Sequence, residues 1–237
     1  MLILALDTSS AAGSAAVVRD GEVVLEREGD GSRTHGERLP LELMGILRDA
    51  GVTLAAVDGF AVVTGPGSFT GLRVGIATIQ GLALARRKRI APVSAFEALT
   101  FRRTPDAPDT ADLRAVWIDA HRREVFGALY AADGTAIAPP TSLPPDATID
   151  AWTQSIGHRT RIRFAGGGAV RYADVIRARL GERALVPERV LPLAGAAGLI
   201  AAAEPARAVL PHAVVPLYVR RSDAELARDR AQAGHQP

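Results

Sequence analysis

The chain has 237 residues, of which 48% are hydrophobic and 23% charged, and its formal net charge is +2 at pH 7. This length and composition are typical of a globular protein with one or two domains and its own hydrophobic core. The absence of cysteine excludes disulfide bonds, thiolate metal sites and cysteine nucleophiles.

The N-terminal segment predicts a buried strand and not a targeting signal. Residues 2–6 are apolar, but no basic residue precedes them and Asp7 ends the run. A signal peptide needs a basic start and a longer apolar core, and a membrane span needs about 20 apolar residues. The longest nearly uncharged stretch, residues 72–85, contains Arg73. We therefore expect a soluble, cytoplasmic protein that does not enter a membrane.

The first strand opens a predicted antiparallel meander. Residues 14–18 and 23–28 predict two further strands, and Asp20-Gly21 between them is a strong hairpin signal. A polar turn that contains Asp7, Thr8 and Ser9 follows the first strand. Its position allows it to hold a phosphate or a metal-bound water. The alternative is a turn whose side chains cap their own backbone.

The next region predicts a helix with apolar residues at helical spacing between Leu39 and Ile46. Thr34 and Glu37 are placed as a capping box at its start. Pro40 conflicts with that start, because proline removes a hydrogen bond inside a helix. The helix is therefore expected either to kink at Pro40 or to begin near Glu37.

A strand over residues 60–64 leads into a glycine-rich turn made of Gly65, Pro66, Gly67 and Ser68. Its spacing matches neither a Walker loop, a dinucleotide fingerprint nor a nucleophile elbow. We favour a tight turn into a closely packed helix, with phosphate binding as the alternative. The following helix, over residues 72–85, is apolar on nearly every side. It therefore needs cover from a second lobe or another protein besides the sheet.

The second half repeats the pattern of the first. Residues 114–118 and 124–130 predict strands, Asp119 ends the first of them as Asp7 does, and Asp133-Gly134 is again a hairpin turn. We interpret this as a duplicated lobe, in which Asp7 and Asp119 can face one cleft. That is the layout of the actin, sugar kinase and heat-shock ATPase superfamily.

The remaining segments predict a boundary, a helix and a tail. Residues 104–112, rich in Pro and Asp, are the expected boundary between lobes. Residues 161–164 predict a strand, 166–168 a glycine turn and 169–180 a helix. The glycine turn can lie under a nucleotide, although a plain strand-to-helix turn serves as well. Residues 222–237 are polar and are expected to be disordered, at least at their end.

Basic clusters and histidines give two further hypotheses. The clusters at residues 86–89 and 121–123 can meet RNA phosphates, although the first also ends an apolar helix, where cations suit the helix dipole. None of the five histidines has a second histidine three or four positions away. We therefore predict no metal site.

Several segments together resemble the TsaB (YeaZ) family. They are residues 4–9, Thr34-His35, 39–41, the highly specific 65–73 (GPGSFTGLR), 118–126 and 216–220. The resemblance implies an α/β, actin-like fold of two ribonuclease-H-like lobes with mixed sheets. We expect an N-terminal lobe over residues 1–103 and a smaller C-terminal lobe over 104–237, whose last segment packs back on the first.

The resemblance also implies a role in making N6-threonylcarbamoyladenosine at position 37 of tRNA. This chain would be a non-catalytic scaffold, without a cofactor, that binds the enzyme TsaD. TsaE would join the assembly, and tRNA would be contacted indirectly. The sequence leaves open whether the chain without its partner is a monomer or a homodimer. The family's catalytic paralogue carries an H-x-x-x-H metal motif, whereas the comparable residues here are His35 and Leu39. An ATP-dependent small-molecule kinase that uses Asp7 and Asp119 is the alternative.

We expect the two predicted helices to form a four-helix interface with the partner. The interface residues predicted on them are Leu39, Leu43, Ile46, Gly71, Val74, Gly75, Thr78 and Leu82. The polar turns of the two lobes would then be the vestige of a phosphate site, at Asp7, Thr8, Ser9 and Asp119.

Overall fold

The structure is a computed structural model that describes residues 1–101 and 111–220. It contains two five-stranded mixed sheets. The first consists of β1 (Leu2–Asp7), β2 (Ser14–Arg19), β3 (Glu22–Glu28), β4 (Gly59–Val63) and β5 (Ile90–Val93). The second consists of β6 (Leu113–Asp119), β7 (Val125–Ala131), β8 (Ala136–Leu143), β9 (Ile162–Ala165) and β10 (Ala184–Leu185).

Both sheets have the same strand order. The first runs β3-β2-β1-β4-β5 and the second β8-β7-β6-β9-β10. In each, the first three strands in sequence pair antiparallel, and the last two are parallel to the central strand. The predicted duplication is confirmed, and two copies of this topology make the chain an actin-like α/β protein of two ribonuclease-H-like lobes.

Seven α-helices lie among the described residues. They are α1 (His35–Asp49), α2 (Phe69–Arg86), α3 (Ala95–Phe101), α4 (Pro145–Trp152), α5 (Gly167–Arg171), α6 (Ala173–Leu180) and α7 (Ala194–Ala203). None of the helices within 1–101 and 111–220 is long and apolar enough to cross a membrane.

The first sheet is covered on both faces. Side chains of α1 and α2, such as Leu43 and Ile76, pack with Leu4 and Phe60 in the core on one face. On the opposite face, α7 packs on all five strands of this sheet. The core there also includes Val116 and other residues of the second sheet, so the two lobes share it.

Helix α7 comes late in the sequence but is tied to the first sheet. The Oγ atom of Ser14 accepts hydrogen bonds from the backbone N–H groups of Leu193, at 3.1 Å, and Ala194, at 3.0 Å. The Glu26 carboxylate accepts a third from Gly195 at 2.7 Å. These bonds satisfy N–H groups that a helix start leaves without intrahelical partners. Polar groups of β2 and β3 therefore fix where α7 begins.

Two local expectations need correction. Helix α1 begins at His35 and contains Pro40, so the alternative start near Glu37 is wrong. Glu37 accepts a hydrogen bond from the backbone N–H of Thr34 at 2.9 Å and thereby caps the earlier start. The single helix predicted over residues 169–180 is broken at Tyr172 into α5 and α6.

Two predictions fall on the undescribed part of the chain. Most of the predicted boundary, residues 104–112, lies outside the described residues, and so does the predicted disordered tail, 222–237. The division of the chain between residues 103 and 104 therefore stays a prediction.

Candidate functional site

The turn after β1 uses its polar side chains to cap its own backbone. The Oδ1 atom of Asp7 accepts a hydrogen bond from the backbone N–H of Ser9 at 2.8 Å. Asp7 is buried; burial raises the pKa of its carboxyl, and the hydrogen bonds from Ser9 oppose that rise. The turn thus adopts the backbone-capping form that was the alternative to a phosphate or metal site.

The glycine-rich segment packs directly on this turn. A Cβ atom on Gly67 would overlap the carbonyl oxygen of Ser9, and one on Gly71 would overlap that of Thr8. A Cβ atom on Gly75, one helical turn later, would overlap Oγ1 of Thr8. The glycines therefore allow α2 to approach the β1 turn at backbone contact distance. Thr8 and Ser9 fill the space above the start of α2.

The backbone of the glycine-rich turn is also bonded within the chain. The N–H of Ser68 donates to the carbonyl oxygen of Ser9 at 2.7 Å, and the Ser68 hydroxyl caps α2 by accepting from Gly71 N at 3.2 Å. Gly65 has φ +114°, a conformation that L side chains rarely adopt. A Cβ atom there would lie 2.8 Å from the carbonyl oxygen of Leu217. These contacts give the turn a packing role.

His35 and Arg38 of α1 close the loop between β1 and β2. The His35 ring bonds the carbonyl oxygen of Ser10 through Nε2 at 2.9 Å, and its Nδ1 lies 2.8 Å from the Arg38 guanidinium. Burial lowers the pKa of the His35 imidazole, the bond to Ser10 opposes this change, and Arg38 adds to it. The ring is therefore assigned as neutral, donating at Nε2 and accepting at Nδ1.

Arg38 is the residue of this network that sequence reasoning missed. It is buried, pairs with Glu42 at 2.6 Å and donates to the carbonyl oxygens of Ala11, at 3.0 Å, and Ala12. The loop therefore presents carbonyl oxygens to a guanidinium, where a phosphate site would need backbone N–H groups. The i,i+4 spacing of Arg38 and Glu42 was a signal for the ion pair but not for the bond to the loop.

Leu39 occupies the position of the second histidine in the H-x-x-x-H motif. Its side chain is 2% exposed and belongs to the core under the first sheet. Within residues 1–101 and 111–220, no three His, Asp or Glu side chains lie close enough together to hold a metal ion.

Asp119 ends β6 as Asp7 ends β1. Its Oδ1 atom accepts a hydrogen bond from the backbone N–H of His121 at 3.0 Å, which repeats the Asp7–Ser9 bond. Its other oxygen, Oδ2, forms an ion pair with Arg171 of α5 at 2.7 Å. Both oxygens of Asp119 are therefore engaged by groups of the same chain.

Gly166 and Gly168, in the turn from β9 to α5, pack against the carbonyl of Trp117. Gly166 has φ +96°, and a Cβ atom on it would overlap that carbonyl oxygen. On Gly168 a Cβ atom would lie 2.9 Å from the same oxygen. Glycine at these two positions allows α5 to lie close to β6. This is the role expected of a plain turn from a strand into a helix.

The first basic cluster ends helix α2. Arg87 adopts the left-handed conformation, φ 53°, at the C-terminus of the helix. Arg86 donates to the carbonyl oxygen of Ala55 at 3.3 Å, and Arg89 to that of Ala208 at 3.3 Å. The contacts of residues 86–89 therefore fit a cluster that ends α2, as one of the two hypotheses for it expects.

The predicted interface residues do not face outward together, and this corrects the sequence-based assignment. Leu39, Leu43 and Ile46 are buried in the chain's own core, and Gly71 and Gly75 face Thr8. The remaining three are half-buried: Val74, Thr78 and Leu82. Helical spacing identified the apolar face of α1, but that face packs on the sheet.

A different set of residues forms the outer surface of the two helices. On α1, Leu41 is 75% and Met44 53% exposed, and on α2, Leu84 is 62% exposed. Ala77 and Gly81 lie on the exposed side of α2, and a Cβ atom on Gly81 would meet nothing within 4 Å. Helices α1 and α2 contact each other on the same face of the sheet, and we call their outward-facing residues together the α1–α2 surface.

A second exposed cluster involves the C-terminal part of the described chain. Tyr218 stacks on Phe69 with ring centroids 5.3 Å apart. The Arg73 guanidinium lies 3.9 Å from the Phe69 centroid and donates to the Tyr218 hydroxyl at 3.1 Å. These residues come from two of the segments that carry the family resemblance, and only the fold brings them together.

Known proteins that are similar to this chain indicate its family. The family model described as "TsaD: tRNA N6-adenosine threonylcarbamoyltransferase" matches residues 29–151. An uncharacterized protein of Mycobacterium bovis is 32% identical over 94% of this chain and 93% of its own. The tRNA threonylcarbamoyladenosine biosynthesis protein TsaB of Escherichia coli is 36% identical over 58% of each chain.

A solved structure covers nearly the whole chain. It is a Pseudomonas aeruginosa protein described as similar to the peptidase YeaZ. It superposes with a TM-score of 0.69 and 30% identity over 92% of this chain and 99% of its own. Sequence and structure therefore agree over both lobes, and the chain belongs to the TsaB (YeaZ) family.

Proposed function

We propose that this chain is a non-catalytic subunit that binds a TsaD-type enzyme for the threonylcarbamoylation of tRNA. Relatives named for threonylcarbamoyladenosine biosynthesis support the pathway, and the match to the TsaD family model supports a partner of the same fold. The observation that carries the proposal is the α1–α2 surface, which leaves large apolar side chains and small residues exposed on two adjacent helices.

The chemistry of this surface fits a helical partner. Small residues such as Ala77 and Gly81 allow another helix to approach closely, and Leu41, Met44 and Leu84 supply exposed apolar side chains on the two helices. Exposed apolar patches of this kind mark protein–protein contacts. A stable pair would bury about 1,600 Å² in total. The four-helix interface expected from the sequence is retained, with these outward-facing residues in place of the buried ones.

Three contacts support a non-catalytic role. The Asp7 carboxylate is buried against its own turn, Asp119 is paired with Arg171, and the loop after β1 is closed by His35 and Arg38. A kinase of this fold would need the two carboxylates for magnesium and that loop for phosphate. The kinase alternative therefore has less support than the scaffold. A threonylcarbamoyl-adenylate assay tests this point: the isolated chain should not modify tRNA, and turnover that is lost with Asp7→Ala would overturn the proposal.

Binding to the partner is tested by two matched substitutions. Ala77→Arg places a long charged side chain on the α1–α2 surface, and Ala178→Arg makes the same change at an exposed position of α6 in the other lobe. We expect Ala77→Arg to weaken binding to TsaD by at least about 100-fold, because an unpaired charge would be buried at the contact. Isothermal titration calorimetry measures the affinity, and circular dichroism verifies folding.

The control variant shows whether the loss of binding is specific to the α1–α2 surface. Ala178→Arg should bind TsaD as the wild-type chain does. Wild-type affinity in Ala77→Arg would show that the α1–α2 surface is not the contact. The absence of any complex between TsaD and the wild-type chain would refute the proposed function itself.

A further inference from the structure

Arg73 is an exposed arginine of α2 whose side chain is held in place by two aromatic residues. Its guanidinium lies 3.9 Å from the centroid of the Phe69 ring, and its Nε atom donates to the Tyr218 hydroxyl at 3.1 Å. The two rings stack on each other with centroids 5.3 Å apart. A free arginine side chain has large rotamer freedom, which these contacts restrict. Phe69 and Tyr218 therefore fix where the guanidinium lies.

The same contacts leave most of the hydrogen-bonding capacity of Arg73 unused. A guanidinium has five N–H donors, and only the donor on Nε is bonded to Tyr218. Within the described part of the chain, no carboxylate pairs with Arg73, and its two Nη atoms have no hydrogen-bond acceptor. Paired donors of this kind bind a carboxylate through two parallel hydrogen bonds. Arg73 is thus a charged group that is oriented but not paired.

The elements that contact Arg73 contain no acidic residue. The segment 205–220, which carries Tyr218, lies along α2, because Gln80 donates to the carbonyl oxygen of Pro211 at 2.8 Å. Neither this segment nor α2 contains an Asp or a Glu. The two elements that hold Arg73 therefore cannot supply a carboxylate for it.

The other arginines of these two elements are paired or distant. Arg207 and Arg220 form ion pairs within the chain at 3.0 Å and 2.9 Å. Arg86 lies at the other end of α2, about 20 Å from Arg73 along the helix axis. The segment also carries exposed apolar side chains, such as Val215 at 68%. RNA binding uses several cations, whereas protein contacts combine apolar side chains with a few arginines and tyrosines, so these residues favour a protein.

Arg73 lies on the exposed side of α2 that the proposed partner contact uses. Arg73, Ala77 and Gly81 follow one another at intervals of four residues, and all three are exposed. Residues at this spacing lie on the same side of a helix. A partner helix that covers Ala77 therefore reaches Arg73 one helical turn further along. Burial of a charge without a partner is unfavourable, so such a contact needs a carboxylate opposite Arg73.

We propose that Arg73 binds an Asp or Glu side chain of the TsaD-type partner, and that Phe69 and Tyr218 are positioning residues for its guanidinium. The partner contact then extends from the α1–α2 surface to the segment 205–220. Because the Arg73 side chain is ordered before binding, less entropy is lost when the ion pair forms. The identity of the partner rests on the proposed function.

The test measures the affinity of the full chain for TsaD by isothermal titration calorimetry. Arg73→Gln should weaken binding by at least about 30-fold, because the charge and the paired donors are lost and the carboxylate of the partner is left unpaired. Arg159→Gln removes the same charge from an exposed position between α4 and β9 and should bind as the wild-type chain does. Circular dichroism verifies that both variants fold.

A double-mutant cycle tests the positioning role of Tyr218. Tyr218→Phe removes only the hydroxyl that accepts from Arg73, and we expect it to weaken TsaD binding by about 3- to 10-fold. In the Arg73→Gln background it should have no effect. Equal effects in both backgrounds would show that Tyr218 acts independently of Arg73 and would overturn this role. Because Tyr218→Phe keeps the ring, it also decides the proposal if Arg73→Gln does not fold.

A second cycle identifies the carboxylate on the partner. Each exposed Asp or Glu of TsaD is replaced by its amide and titrated with the wild-type chain and with Arg73→Gln. One replacement should weaken binding of the wild-type chain and have no effect on Arg73→Gln. The proposal is overturned if no acidic residue couples to Arg73 in this way. It is also overturned if Arg73→Gln retains TsaD affinity but weakens binding of a tRNA transcript to the complex, measured by fluorescence anisotropy.

The wild-type chain and Ala77→Arg separate this proposal from the proposed function. If the wild-type chain forms no complex with TsaD, both are refuted. If it does, and Ala77→Arg disrupts the complex while Arg73→Gln binds as the wild-type chain does, the proposed function stands and the role of Arg73 is refuted.

Discussion

At the scale of single residues, the two polar turns show how side chains that look available for chemistry are used by the fold. Asp7 and Asp119 end the central strands of the two sheets, and each caps the backbone two residues later. Their surroundings differ, because Asp7 is buried whereas Asp119 pairs with Arg171 at the surface. Burial raises the pKa of the Asp7 carboxyl above its ordinary value.

Asp7 should make stability depend on pH. Burial raises its pKa in the folded chain, so the folded state holds this proton more tightly than the unfolded state. That contribution to stability is present at low pH and is lost as the pH rises through the folded-state pKa. We expect Asp7→Asn to gain stability over the wild-type chain as the pH rises from about 4 to 7. Urea unfolding at both pH values measures the difference, and an equal difference at both would contradict it.

Arg122 should be a site where glycine is preferred. Its φ of 52° is costly for a residue with a Cβ atom, whereas glycine adopts it freely. We expect Arg122→Gly to be more stable than Arg122→Ala by about 1 kcal/mol, since both variants lose the same side chain. Thermal unfolding of the two variants measures this. A less stable glycine variant would mean that the turn is not strained.

At the scale of elements, the two sides of α2 have opposite requirements. The inner side packs on the β1 turn through Gly75, whereas the outer side presents Gly81 to open space. Both glycines lie inside a helix, where replacement by alanine adds about 1 kcal/mol of helix stability. A difference in unfolding free energy between alanine substitutions at these two positions therefore reflects the packing around each glycine.

Gly75→Ala and Gly81→Ala form a matched pair. We expect Gly81→Ala to stabilise the protein by about 1 kcal/mol. Gly75→Ala should destabilise it by about 1–3 kcal/mol, because the new methyl group would overlap the Thr8 side chain and push α2 away. Denaturant unfolding measures both values. Equal effects would show that α2 does not depend on close contact with the turn.

At the scale of the whole molecule, the two lobes share one core. Ile3 and Val18 of the first sheet, Ala197 of α7 and Val116 of the second sheet belong to a single buried cluster. Neither sheet can lose its packing on this side without exposing residues of the other. The lobes should therefore unfold together.

The tryptophans allow a test of this coupling, because both lie in the core of the second lobe. They are Trp117 and Trp152. We expect Ile3→Ala in the first sheet to lower the unfolding midpoint seen by tryptophan fluorescence as much as that seen by circular dichroism, with a cost of about 2–4 kcal/mol. A fluorescence midpoint that stays in place while the circular dichroism midpoint falls would show two independent units.

The sequence by itself determined seven of the ten strands of the two sheets, the hairpins and the duplication, because these depend on local periodicity and turn chemistry. Asp20-Gly21 illustrates this: both residues adopt the positive φ values that a tight hairpin needs. The sequence did not predict β5, β8 or β10. The motif at residues 65–73 indicated the family, because its three glycines and its one proline form a particular turn into a closely packed helix.

Only the tertiary structure decided which sides of the helices remain exposed and which distant residues meet. A helix that is apolar on nearly every side does not reveal its inner face, so Gly75 of α2 was assigned to an interface although it packs on Thr8. Leu39 lies on the apolar face of α1, and the sequence did not say whether that face packs on the sheet or on a partner. Helix α7, late in the sequence, covers the first sheet, and Tyr218 stacks on Phe69. Such contacts depend on long-range packing. The burial of apolar area is non-directional, so local spacing can show which face of an element is buried but not which distant element covers it.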